Sequence, residues 1–546
     1  MRLLGAPAFV RFLAIASAAI GLIFFLGALG FRLWHYGYFA ESPMDDAFFF
    51  VRYANNFLDT GIFEWNRGEG PVHGNTSQLY QFLLLAIHWL DDRNAVLSVS
   101  LAATLGGIAY LLLVPLAYWR SRPTVDPRLR RLVCALLVVL ICFDGQIFLL
   151  VGTGMETTWA MAAVAVSLIA GFHLERHPAK SNAVLLGAAS ILLVYTVRPD
   201  ATVLSLAGLG GLVLFSSDRR TRLAGAAASA VGIVLILVFM LLCWAYYGDA
   251  VPLAVIAKTK GLTTLPPNSH ADMTGYSLSY FWLTIILHVP ETLLALAALF
   301  LFRRLSPVLR GAVLGAAVFI AYHLFVVVPI MGYFGRYHAP ILPILALLAA
   351  RTIEAILAES RIVHGFRAVT LAGAAMLAGM AYLFFFKMAP TTVHVISSHL
   401  PALEADASLN TKAGALAFAA DNVPFYRGFM ARMIEAMGSD CSIASTEDGI
   451  LSAYASGNRI VDLSGLHDRE MARHGFSAER VLMQQKPDIL SLPHPWYGAW
   501  TAALKAHPAL LRDYDMEPAL GDMAEPIAFR RDSMCAARVR RALYGG

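Results

Sequence analysis

Asp45 and Asp46 stand side by side at the head of the most polar stretch of an otherwise apolar chain, Pro43 to Ser77. An apolar-rich run carrying Arg52 and Asn55 follows them. A loop with glycines at 68, 70 and 74 then ends in Thr76 and Ser77. Joining two membrane helices needs only a short linker, so this polarity calls for another reason. A carboxylate near a membrane surface can take a proton from a hydroxyl as that hydroxyl attacks. A second carboxylate can orient the first or raise its pKa by like-charge repulsion. The same residues also suit a helix N-cap, where Asp meets the positive end of the helix dipole.

Arg52, Arg198, Lys258 and Arg336 are cations beside apolar spans. Arginine can grip a phosphate with two parallel bonds and lysine as a point charge. Cations at such positions also snorkel toward lipid headgroups. Glu156 opens a span, where it suits the helix dipole or a substrate. The loop holding His73, Asn75 and Thr76 is rich in glycine, which lets backbone N–H groups approach a ligand; an ordinary turn has the same composition. Asp249 and Tyr337 lie in further polar turns. His73 and His338 can ligate a metal or move protons. No Cys/His spacing suggests zinc. The paired acids can hold Mg²⁺ or Ca²⁺, but the sequence displays no full ligand set.

The elements that must position these residues are membrane helices. The chain has 546 residues, 58% hydrophobic and 14% charged, with a mean hydropathy of +0.62. Soluble proteins carry about 25% charged residues. Apolar runs occur near 8–33, 95–118, 132–151, 156–173, 182–198, 200–216, 223–247, 278–302, 311–331, 337–352 and 367–387. A helix crossing the hydrocarbon core needs about 20 such residues, which predicts an α-helical polytopic protein with about eleven spans. The first run lacks a cleavage site and reads as an uncleaved span.

With that count, the basic loops at 120–131, 175–180, 218–222, 303–310 and 351–367 fall on one side, the cytoplasm. The opposite face receives the first external loop (34–94), the 152–156 turn, Arg198 with Asp200, the 248–277 loop, the 332–337 turn and everything after about 390. The formal charge of +5 follows from these short loops, so it does not indicate nucleic-acid binding.

The sequence divides into a membrane module, 1–389, and a less hydrophobic tail, 390–546. In the tail, 442–445, 459–463 and 488–492 read as strands with helical patterns between them, a small extracytoplasmic α/β domain. Cys134, Cys142 and Cys243 lie in apolar runs and read as inert. Cys441 and Cys535 lie in the tail, where an oxidising compartment permits a disulfide; two buried thiols are the alternative.

The series Asp45-Asp46-Ala47-Phe48, Arg52-Tyr53-Ala54, Asn66-Arg67-Gly68-Glu69 and Val72 to Ser77, placed after a first span, resembles the GT-C superfamily of membrane glycosyltransferases. Within it, the chain looks most like the terminal β-arabinofuranosyltransferases of cell-wall arabinan synthesis. Further stretches fit in order: Gly154 to Thr157, Val197 to Asp200, Tyr246 to Pro252 with Lys258, Gly335 to Pro343, and Val461 to Asp468. The resemblance implies a polyprenyl-phosphate sugar donor, an external site and an external C-terminal domain. It also implies that Asp45 is the catalytic carboxylate, with Asp46 in support. His73 stands where relatives usually carry Glu, a departure that bears on the sugar used.

The expected function is transfer of a sugar, such as arabinofuranose, to a hydroxyl of a cell-envelope glycan or other acceptor, in the cell (inner) membrane. A transporter or flippase of a lipid-linked substrate is the alternative, but transporters place charges near the midplane and often show repeats. Here the charges gather at one face and no repeat is visible.

Overall fold

In lipid, a helix satisfies every backbone polar group within itself, so the long apolar runs become helices. The computed structural model describes residues 45–90, 93–121, 125–142, 144–259, 288–327, 335–359, 429–446, 448–493, 497–518 and 526–545, with short pieces between 16 and 27 and between 278 and 285. The expected spans near 8–33 (apart from those short pieces) and 367–387, and the boundary near 390, lie outside the described residues.

In chain order the membrane module contains α1 (Ala47–Thr60), α2 (Gln78–Leu90), α3 (Ala95–Ser121), α4 (Pro127–Cys142), α5 (Gly145–Gly152), α6 (Thr157–Arg176), α7 (Ser181–Val197) and α8 (Thr202–Phe215). It continues with α9 (Arg219–Tyr247), α10 (Leu253–Thr259), α11 (Val289–Leu299), α12 (Pro307–Phe325) and α13 (Leu342–Glu359). Among the described residues, five helices are long and apolar enough to cross a membrane: Ala95–Ser121, Thr157–Arg176, Arg219–Tyr247, Pro307–Phe325 and Ala339–Ala358. The chain is a multi-pass membrane protein. Leu237, Leu241, Leu242 and Trp244 of α9 are exposed, as a lipid-facing helix requires.

Local chemistry sets the breaks. The run expected as one span over 132–151 is two helices, α4 and α5. Asp144 separates them, its Oδ1 accepting the Gln146 amide at 2.9 Å and so starting α5. Pro199 ends α7, because the residue before proline is pushed out of the helical region. Arg198 is accordingly extended (φ −157°, ψ 100°). One 3₁₀ turn, Pro199–Ala201, then leads into α8.

The tail contains a five-stranded sheet: β1 (Ser442–Ser445), β2 (Arg459–Asp462), β3 (Ile489–Ser491), β4 (Tyr514–Glu517) and β5 (Ile527–Arg530), in the order β2-β1-β3-β5-β4. The first three are parallel, joined through short helices that include α14 (Gly449–Tyr454) and α15 (Arg469–His474). The last two form an antiparallel pair against β3. The sequence reading anticipated β1 to β3 and missed β4 and β5. Cys441 and Cys535 are joined by a disulfide across a Cα–Cα distance of 5.7 Å.

The tail and the first loop share a core. Phe48, Val51 and Trp65 belong to the same apolar cluster as Ile443, Ile450 and Phe529. The helix α1 is therefore packed beneath the α/β domain, and Arg52 within it is fully buried.

Candidate active site

A cavity of about 330 Å³ lies where α1, the 74–76 loop, the start of α6, the α7–α8 turn, α10, α12, the 335–338 turn and the tail meet. Asp46, Asn75, Thr76, Glu156, Arg198, Arg336 and Tyr337 line it, as do Asp200, His323 and His467.

Asp46 and Arg336 form one charged pair of the site. Arg336 Nη2 donates to Asp46 Oδ2 at 2.8 Å. The side chains are 5% and 15% exposed for Arg336 and Asp46, so the pair is partly shielded from water. Burial opposes the Arg336 charge, but Tyr337, Asp46 and Glu156 outweigh it and hold the guanidinium above its usual pKa. A second chain of contacts supports that turn. Arg198 Nε donates to Asp200 Oδ1 at 3.1 Å, and Arg198 Nη1 donates to the Arg336 carbonyl at 3.1 Å. His323 Nε2 lies 2.9 Å from Asp200 Oδ2. The Tyr337 ring is near both arginines, its centroid 5.4 Å from the Arg198 guanidinium carbon and 5.3 Å from that of Arg336.

The two adjacent acids part company. Asp45 does not line the cavity; its Oδ2 accepts the Gly449 amide at 2.7 Å and its Oδ1 the Ile450 amide at 2.8 Å. It caps a helix, α14, as an aspartate suited to an N-cap can, but one that lies about four hundred residues further along the chain. Gly449 admits this approach, since a Cβ there would collide with the Asp45 carbonyl.

Arg52 also points away from the cavity. Its Nη1 donates to Ser452 O at 2.9 Å, and its Nη2 to Asn66 Oδ1 at 2.8 Å and Asn458 O at 2.9 Å, with Nε on Trp65 O at 2.5 Å. Burial lowers its pKa to about 10, with the Asp448 charge opposing, so it stays charged at neutral pH. The forked guanidinium ties the first loop to the tail.

His73 and Asp249 are likewise structural neighbours of the site. His73 stacks on Tyr247 at 4.7 Å, its Nδ1 3.0 Å from Asp249 O, and burial lowers its pKa toward the neutral form. The Asp249 carboxylate accepts from Arg469 Nε at 2.6 Å and from Arg473, another tie between membrane module and tail. Lys258 is part of α10, and its side chain lies outside the described residues.

The tail supplies His467, which the sequence reading quoted only within a motif. Its ring stacks on Trp65 at 3.8 Å and its Nδ1 lies 3.1 Å from the Tyr53 hydroxyl. A Cβ on Gly74 would collide with both His467 and Tyr53, so the glycine makes room for this contact. His323 was missed too. An ionisable residue within an apolar span is itself a functional signal, and His323 carried that signal. Among the described residues, no group of three or more His, Cys, Asp or Glu side chains could hold a metal ion.

The fold is similar to that of solved oligosaccharyltransferase and ArnT structures. The crystal structure of the Archaeoglobus fulgidus oligosaccharyltransferase in the apo form is similar with a TM-score of 0.55 and 12% identity, over 97% of this chain and 78% of that one. The structure of ArnT from Cupriavidus metallidurans bound to undecaprenyl phosphate gives a TM-score of 0.53 and 13% identity, over 95% and 98% of the two chains. The A. fulgidus oligosaccharyltransferase AglB in complex with an inhibitory peptide and a dolichol-phosphate gives 0.53 and 12%, over 98% and 78%. Residues 411–532 match a family described as "Domain of unknown function (DUF8728)". No curated protein matches the chain by sequence.

Proposed function

We propose that the chain is a membrane glycosyltransferase that moves a sugar from a polyprenyl-phosphate donor to a hydroxyl of a cell-envelope glycan or another acceptor. In this reading it crosses the inner membrane about eleven times, with the cavity and the α/β domain on the external side. A pentofuranose such as arabinofuranose is the proposed sugar, on the motif resemblance.

The observation that carries the reading is the Asp46–Arg336 pair in a partly enclosed cavity that a second arginine also lines. The fold similarity to proteins solved with undecaprenyl phosphate and dolichol-phosphate supports a lipid-phosphate donor. The acceptor oxygen forms a bond to the anomeric carbon as the bond from that carbon to the phosphate oxygen breaks. The hydroxyl proton passes to Asp46, and the polyprenyl phosphate leaves with the electron pair. Arg336 and Arg198 hold the charge that grows on the phosphate. Asp46, in the cavity, is proposed as the base; Asp45 is proposed to position α14. Lys258, Asn75, Thr76 and Tyr337 are proposed as further donor or acceptor contacts.

Incubating purified protein in detergent with polyprenyl-phosphate sugars and a glycan acceptor tests this. Sugar transfer with no membrane to cross supports an enzyme, and binding without transfer supports a transporter.

A further inference from the structure

Three carboxylates line the cavity: Asp46, Asp200 and Glu156. Asp46 is bonded to Arg336, and Asp200 to Arg198 and His323. Glu156 differs. It is 7% exposed, and its Oε2 has no hydrogen-bond partner among the described residues. It precedes α6 as the N-cap residue, yet its side chain makes no capping bond. A capping hydrogen bond therefore does not account for the carboxylate, and the helix dipole supplies no donor to its Oε2. A buried carboxylate oxygen without a donor is costly, and a site that retains one has a place for an incoming O–H or N–H.

The ligand class follows from charge. Glu156 is within electrostatic reach of Arg336, on which the donor phosphate is proposed to rest. A carboxylate repels phosphate, so it cannot be a further phosphate contact. It can accept a hydrogen bond from a neutral group carried next to the phosphate. On a lipid-phosphate sugar that group is a hydroxyl of the sugar ring.

We infer that Glu156 is a specificity residue that reads a hydroxyl of the transferred sugar. This deepens the proposed function and rests on it. The site then has two halves: arginines for the phosphate, and Glu156 for the sugar attached to it. The inference predicts that Glu156 contributes to binding a lipid phosphate only when the lipid carries a sugar.

The test is calorimetric titration of the full chain in detergent with farnesyl phosphate and with farnesyl phosphates bearing arabinofuranose, mannose or glucose. For the wild type, the preferred sugar-bearing lipid should bind more tightly than the sugar-free one. Glu156→Ala should reduce that sugar advantage by about 10- to 100-fold, the effect of one hydrogen bond to a charged group. Glu156→Gln, which keeps an oxygen but not the charge, should reduce it less. Both variants should bind sugar-free farnesyl phosphate at least as well as wild type, which also shows that they are folded. If Glu156→Ala fails to fold, a Glu156→Gln protein with undiminished sugar advantage overturns the inference. So does an undiminished advantage in folded Glu156→Ala. A wild-type protein that binds none of these lipids overturns the proposed function, and the assignment of Glu156 falls with it.

Discussion

Arg336 donates to Asp46 at 2.8 Å, joining two residues 290 positions apart at the wall of one cavity. The neighbouring Asp45 faces the other way and holds the amides that open α14. One dipeptide thus serves two structures, and the following predictions separate their roles.

Asp45→Asn should leave turnover close to wild type and lower stability by about 1–2 kcal/mol, the range for a lost capping interaction. Asn can accept only through one oxygen where Asp45 uses two. Thermal unfolding in detergent beside a transfer assay checks both halves of the statement.

Arg52→Lys should destabilise the protein by about 3–5 kcal/mol, because an ammonium cannot satisfy acceptors arranged around a guanidinium and a buried charge loses its partners. The acceptors are Trp65 O, Ser452 O, Asn66 Oδ1 and Asn458 O. A donor-binding arginine would show a different result, unchanged unfolding and weakened affinity for the lipid phosphate.

Asp462 gives a pH dependence. Burial raises its carboxyl from an ordinary 3.8 to about 6, against hydrogen bonds from Ser464 and His467 that favour the charged form. Between those values the folded protein holds a proton that the unfolded chain has released. Its contribution to stability is therefore greatest below about pH 4 and falls as the pH rises to about 6, by about 3 kcal/mol in all. The difference in unfolding free energy between wild type and Asp462→Asn, followed from pH 4 to 7, should change by that amount. A flat difference would remove the burial argument.

Reducing the Cys441–Cys535 bond should cost about 3–5 kcal/mol on loop-entropy grounds, since it closes 94 residues. Alkylation of the unreduced, denatured protein should label neither cysteine. Labelling of both would refute the bond.

Much of this was legible in the sequence for a physical reason. Helices in lipid are set by apolar length, so α3, α6, α9 and α12 followed directly from the runs. Arg198, Glu156 and Arg336, which line the cavity, stood out in the sequence because they are polar residues at the ends of apolar spans. Asp144 did not stand out, as one acid within a run barely lowers its hydropathy, yet it divides α4 from α5. The separation of Asp45 from Asp46 was hidden because it depends on α14, hundreds of residues away. The contacts of Arg52 and Asp249 were hidden for the same reason: their partners are in the tail, and adjacency along the chain says nothing of them.

The central claim is that Asp46 accepts the proton of the attacking hydroxyl. The direct measurement is turnover of Asp46→Asn at saturating polyprenyl-phosphate sugar, with purified, folded protein and Asp45→Asn alongside. The account predicts a loss of about 10²–10⁴ for Asp46→Asn, the usual contribution of a general base, and near wild-type turnover for Asp45→Asn. Undiminished turnover in folded Asp46→Asn, or loss confined to Asp45→Asn, would contradict it.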